Sequence, residues 1–206
     1  MRNRLEALVL GIGNILWADE GFGVRAVEAL HAAYEFPGAV TLQDGGTLGL
    51  NLYEQVAGAR RVLVFDAIDF NLAPGTLRVL RDADVPAWGR TKLSPHQVGF
   101  NDILALAQLN GRSPDSIVAI GVQPVELNDF GGSLRDPVRA RLPEAVALAA
   151  AELAAWGYPG TPHPRGIPFE PLSASPLALD QYESGRPSDA QACRSGDPRL
   201  LERRES

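Results

Sequence analysis

Three segments carry side chains that could do chemistry together. Asp19 and Glu20 lie in GIGNILWADEGFG, Asp66 ends RVLVFD, and His96 sits in KLSPHQVGF. Glu20, Asp66 and His96 would form an incomplete metal shell of oxygen and nitrogen donors. Such donors suit a borderline divalent ion such as nickel or zinc. Three protein ligands leave positions for water or substrate, which a catalytic metal requires. Each residue also has a plain structural reading. Asp19-Glu20 ahead of a helix would favour the helix dipole, Asp66 could cap a turn, and His96 could be an ordinary loop histidine. Asp69 reads as a loop acid, and His31 and His163 as structural or solvated histidines.

The elements that must position these residues follow from apolar periodicity. ALVLGI (7–12) reads as a short buried strand, and 22–34 as a helix with Val24, Val27, Leu30 or His31, and Tyr34 at helical spacing and Arg25 and Glu28 on another face. Pro37-Gly38 stops that helix. VTLQ (40–43) reads as a strand and 48–57 as a short helix. RVLVFD (61–66) is a continuous apolar run suited to a central parallel strand. TLRVL (76–80) and SIVAIGV (116–122) are further strands, and 99–110 and 143–156 are helices, each closed by a glycine. His96 is thereby expected in a loop just before a helix. Strands alternating with helices predict a single three-layer α/β domain, its twisted, mostly parallel sheet flanked by helices on both faces. In such sheets the loops after strands gather at the carboxyl edge, where ligands bind. Glu20 and Asp66 are therefore expected to face one crevice, with the His96 loop closing over it.

Bulk properties narrow the function classes. The chain has 206 residues, 45% of them hydrophobic, so one domain with a sizeable core is the default. A net charge of -6 with no long basic run argues against nucleic acid or an anionic membrane as partner. Cys193 is the only cysteine, which rules out an intrachain disulfide and a thiolate zinc cluster. The opening MRNRLEALVLGIGNILW is broken by Glu6, Gly11, Gly13 and Asn14, with no small-x-small site before Asp19. It does not read as a signal peptide, and no run is long enough for a membrane helix, so a cytoplasmic protein is expected. Eight of the 16 prolines fall between Pro159 and Pro198, so residues 1–159 read as the domain and 160–206 as a mobile Pro/Ser-rich tail. Other motifs fail: Leu16 replaces the third glycine of a dinucleotide fingerprint, and no P-loop, HExxH or GxSxG occurs.

The set LVLGIGNILWADEGFGVRAVEAL, DGGTLGLNL, VLVFDAID, APGTLRVLRDADVPA and KLSPHQVGFNDILALA resembles the [NiFe] hydrogenase maturation endopeptidases, most of all those serving uptake hydrogenases. The resemblance spans residues 5 to 157, with five motifs in the family's order, and finds no counterpart for the tail. It implies an endopeptidase that removes the C-terminal extension of the nickel-loaded hydrogenase large-subunit precursor. It implies Glu20, Asp66 and His96 as ligands to nickel supplied by the substrate, for which other divalent ions can stand in. It also implies a functional role for Asp44 of DGGT, the catalytic candidate that would orient or deprotonate the attacking water. Gly45-Gly46 would permit the turn that aims its carboxylate, while an Asx-type turn bond is its structural reading. A free monomer is expected. The competing class is a non-catalytic nickel-sensing module or chaperone that holds the precursor while another protein cuts. A small-molecule or nucleotide-binding domain is a third reading, resting on GIGN and fold analogy alone.

Overall fold

The apolar runs become the strands of one sheet. In the computed structural model, residues 4–85, 95–164, 170–172 and 177–186 are described, with 95–99 described by backbone only. The strands are β1 (Leu5–Ile12), β2 (Tyr34–Glu35), β3 (Val40–Gly46), β4 (Ala59–Ala67), β5 (Leu77–Arg81), β6 (Ser116–Val122) and β7 (Thr161–Pro162). Five of them form the main sheet in the order β3-β1-β4-β6-β5, and β2 pairs with β7. All neighbours in the main sheet are parallel except β5, which runs antiparallel to β6. The expected mostly parallel α/β sheet is therefore present.

Residue alternation along β1 and β4 sorts the core into two layers. Ala7, Val9, Leu63 and Phe65 pack on one face, beneath α1 (Phe22–Ala33) and α5 (Leu142–Ala155). Leu8, Leu10, Val62 and Val64 pack on the other, beneath α2 (Tyr53–Gly58) and α3 (Pro95–Leu109). A short helix, α4 (Asp136–Arg139), precedes α5. Central strands buried on both faces need apolar side chains at every position, which is why RVLVFD reads as an unbroken run.

Two local expectations change. The helix expected over 99–110 begins at Pro95, so His96 lies in its first turn and not in a loop. Proline is favoured there because it lacks the N–H that the first turn leaves unpaired. Arg25, expected on the face away from the apolar stripe of α1, is only 3% exposed and pairs with Glu28 at 2.9 Å. Helix α1 packs against both the sheet and α5, so its polar side is partly enclosed.

The chain divides into residues 1–174 and 175–206. The first unit continues past Pro159: β7 pairs with β2, and the His163 N–H donates to the Ala33 carbonyl at 3.0 Å. A His31 ring nitrogen meets the Glu170 carbonyl at 2.8 Å and a His163 ring nitrogen meets the His31 carbonyl at 3.1 Å, so both histidines are structural. The described part of the second unit contains one short helix, α6 (Leu179–Ser184). Cys193 lies outside the described residues. No described helix is long and apolar enough to cross a membrane.

Candidate functional site

The site is built at the carboxyl edge of β1 and β4. After β1 the chain turns through a 3-10 segment, Ala18–Gly21, that carries Asp19 and Glu20 and packs against β4. Two glycines make this approach possible. A Cβ on Gly23 would overlap the carbonyl oxygens of Ile12 and Phe65, so only glycine lets the start of α1 sit directly on both strand ends. Gly13, at φ +132°, lies against the Glu20 carbonyl in the same way. Glu20 is thus held, half-buried, over the end of β4, where Asp66 follows Phe65.

Asp19 is fully buried, and its role is architectural. One carboxylate oxygen accepts the backbone N–H groups of Val125 at 2.8 Å and Glu126 at 3.0 Å, and the other accepts that of Arg135 at 2.7 Å. Three such bonds to an ionised acceptor are among the stronger kind in proteins. They tie the turn bearing Glu20 to the loop that follows β6.

Asp66 is 5% exposed and falls, by strand alternation, on the layer of Val64 and Ile68. That face is covered by α3 through Phe100, Ile103 and Leu104. Since α3 runs back toward the start of β6, its first turn, with His96, stands at the carboxyl edge. The His96 side chain itself lies outside the described atoms. The edge thus collects the Glu20 turn, the end of β4 and the start of α3.

Asp44 is set apart from them. It is level with Gly11, which is itself level with Phe65, so Asp44 shares the Phe65 face beneath α1. Its neighbours there are Arg25 and Glu28. Burial pushes its carboxyl above the ordinary value and Glu28 adds to the rise, while the Gly46 N–H and Arg25 oppose it. Among the described residues its Oδ1 is buried without a hydrogen-bond partner. No three histidine, cysteine or acidic side chains among the described residues stand close enough to hold one ion, so Asp44 does not join Glu20 and Asp66 as a ligand set.

Sequence reasoning missed Gln123, which is 7% exposed and follows β6 directly. Its Oε1 accepts the N–H groups of Phe70 at 2.7 Å and Leu72 at 3.1 Å, and its Nε2 donates to Asp69 at 3.0 Å. The loop leaving β4 beyond Asp66 is shaped by this one amide. Its only trace in the sequence is a polar residue placed immediately after an apolar run. Asp129, paired with Arg135 at 2.6 Å, was missed because it stands in a polar loop where no periodicity singles it out.

Fold and site together define an α/β protein that gathers acids at the carboxyl edge of a mostly parallel sheet. Comparison with known proteins narrows this. Residues 24–152 match the family model described as hydrogenase maturation protease. The chain is 53% identical over 195 residues to the hydrogenase expression/formation protein HupM of Azotobacter chroococcum, covering 94% of this chain and 92% of that one. It is 40% identical to the hydrogenase 2 maturation protease of Escherichia coli K12, covering 77% of this chain and 96% of that one. The solved structure of the hydrogenase maturating endopeptidase HybD from E. coli superposes with a TM-score of 0.74 at 39% identity, over 77% of this chain and 98% of that one. The chain belongs to the hydrogenase maturation protease family and is a peptidase by class. The match covering 94% of the chain extends past residue 160, so the tail, for which the resemblance found no counterpart, has one in the Azotobacter relative.

Proposed function

We propose that this chain cuts the C-terminal extension from the nickel-loaded large-subunit precursor of a [NiFe] hydrogenase, in the cytoplasm, acting as a monomer. In this reading the nickel arrives as part of the substrate, and Glu20, Asp66 and His96 complete its coordination. The observation that carries it is the convergence of the Glu20 turn, the Asp66 strand end and the first turn of α3 at one sheet edge, in a member of a protease family. A nickel ion held there would polarise the scissile carbonyl or lower the pKa of an attacking water. Oxygen and nitrogen donors suit that ion.

Asp44 stays the acid–base candidate: it lies near the end of β3 at the same carboxyl edge, on the α1 face opposite Asp66, and burial raises its pKa, which favours exchange of a proton over a permanently ionised carboxylate. Membership of a protease family favours cutting over the alternative of a nickel-sensing module that only holds the precursor.

The test is processing in vitro of nickel-loaded and nickel-free precursor by wild type, Glu20→Gln, Asp66→Asn and His96→Ala. The expected result is cleavage of the loaded precursor by wild type alone. Equal cleavage of the nickel-free precursor, or normal cleavage by all three variants, would remove the metal-recognition reading. Binding by wild type without cleavage would leave the holding module.

A further inference from the structure

Among the described residues, nine large apolar side chains are exposed, and six of them lie on connections at the carboxyl edge. Leu16 stands on the loop after β1, Leu48 and Leu50 after β3, Leu72 after β4, and Val125 and Phe130 after β6. Scattered exposed leucines need no explanation, but a set collected from four loops onto one edge does.

The backbone that bears five of them is also held in place. The Leu16 carbonyl accepts the Gly131 N–H at 2.7 Å, and the Leu48 N–H donates to Gly45 at 3.1 Å. The Leu72 N–H donates to the Gln123 amide oxygen at 3.1 Å and the Val125 N–H to the Asp19 carboxylate at 2.8 Å. The Phe130 ring stands edge-on to Trp17, with centroids 5.3 Å apart. The buried polar groups of Asp19 and Gln123 thus fix the loops that carry Val125 and Leu72. A pre-ordered loop spends less binding energy on ordering its own backbone.

These loops form an apolar rim on the sheet edge that also bears Glu20 and the strand end carrying Asp66. A partner that complements this edge presents positive charge to the acids and apolar side chains to the loops. We propose that the rim is the docking surface for the stretch of the large-subunit precursor that flanks its scissile bond, and that this stretch carries apolar side chains on both sides of its metal. The proposal rests on the function proposed above.

The test uses the full chain and the nickel-loaded precursor. Three variants are compared with wild type: the double variant Leu48→Ser/Leu50→Ser, Phe130→Ser, and the double variant Leu106→Ser/Leu109→Ser. The last removes two exposed leucines from α3, whose end lies at the opposite edge of the sheet. Thermal unfolding establishes that each variant is folded, and sedimentation gives its oligomeric state. The expected result is a KM raised about tenfold by either rim variant with kcat within about twofold, the signature of lost uniform binding, and no change in the α3 variant. Unchanged KM in the rim variants, with wild type cutting normally, overturns the rim proposal and leaves the proposed function standing. Equal loss in the α3 variant overturns it as general stickiness. A wild-type dimer that the rim variants dissociate assigns the surface to a second copy of this chain and overturns it too. Failure of wild type to bind or cut the precursor removes both proposals.

Discussion

Gly13 lies so close to Glu20 that a Cβ on the glycine would overlap the Glu20 carbonyl oxygen. The glycine ends the first strand's hydrogen bonding, donating its N–H to Gly46 at 3.0 Å, and its φ of +132° is one that other residues avoid. A local backbone requirement therefore sets where the acidic turn sits above the sheet edge.

Gly13→Ala is expected to destabilise the fold by about 1–3 kcal/mol, through overpacking and backbone strain together. It is also expected to displace Glu20 and abolish precursor processing. Urea unfolding and a processing assay on the same preparation check both parts. A variant as stable and as active as wild type would show that the turn tolerates the shift.

Asp19→Ala removes one buried acceptor and leaves three backbone N–H groups without it. Each such group costs about 1–3 kcal/mol when buried and unpaired, although entering water can satisfy some of them. The expected outcome is a loss of several-fold more stability than Asp19→Asn, whose side-chain oxygen can still accept. Denaturant midpoints for the pair measure this. Accelerated amide exchange at Val125, Glu126 and Arg135 in the alanine variant locates the damage.

The Asp44 carboxyl is raised above 3.8 mainly by burial. In the window from 3.8 up to its raised value, the native chain keeps a proton that the unfolded chain has lost. Stability therefore falls as pH rises through that window. An asparagine side chain cannot titrate, so Asp44→Asn is expected to gain on wild type progressively as pH climbs from below 3.8 toward neutrality. Urea midpoints across a pH series give the difference. A gap that is constant or shrinks with pH would contradict the assignment. Processing by the same variant is expected to be lost.

Gln123→Leu keeps the volume and removes all three hydrogen bonds to the 69–72 loop. It is expected to cost about 1–3 kcal/mol, the penalty for leaving buried donors unmet. The amides of Phe70 and Leu72 should exchange faster while those within β4 do not. Unchanged exchange at these two residues would show that the loop is held by other contacts.

Much of this protein was legible along the chain. The unbroken apolar run of RVLVFD marks a central strand because both its faces are buried, and the helical spacing from Val24 onward marks α1 because only its inner side meets the sheet. Glycines and prolines at the ends of these runs punctuate them. Five motifs in order were enough to indicate the family, since they preserve the residues that close local turns.

The site's arrangement was not legible, because periodicity encodes which face a residue takes but not what that face meets. Asp44 and Asp66 look alike in sequence, each near the end of a strand. The register that sets Asp44 level with Gly11, and Gly11 level with Phe65, sends them to opposite faces. Asp19 and Glu20 are adjacent, yet one is fully buried with partners more than 100 residues away and the other is half-exposed over β4. The sequence by itself determined the elements, their order and the chemical types available at the edge. Only the tertiary structure decided which acids share the edge and which carboxylate holds the loops together. Those choices depend on contacts between segments that are brought together when the sheet closes.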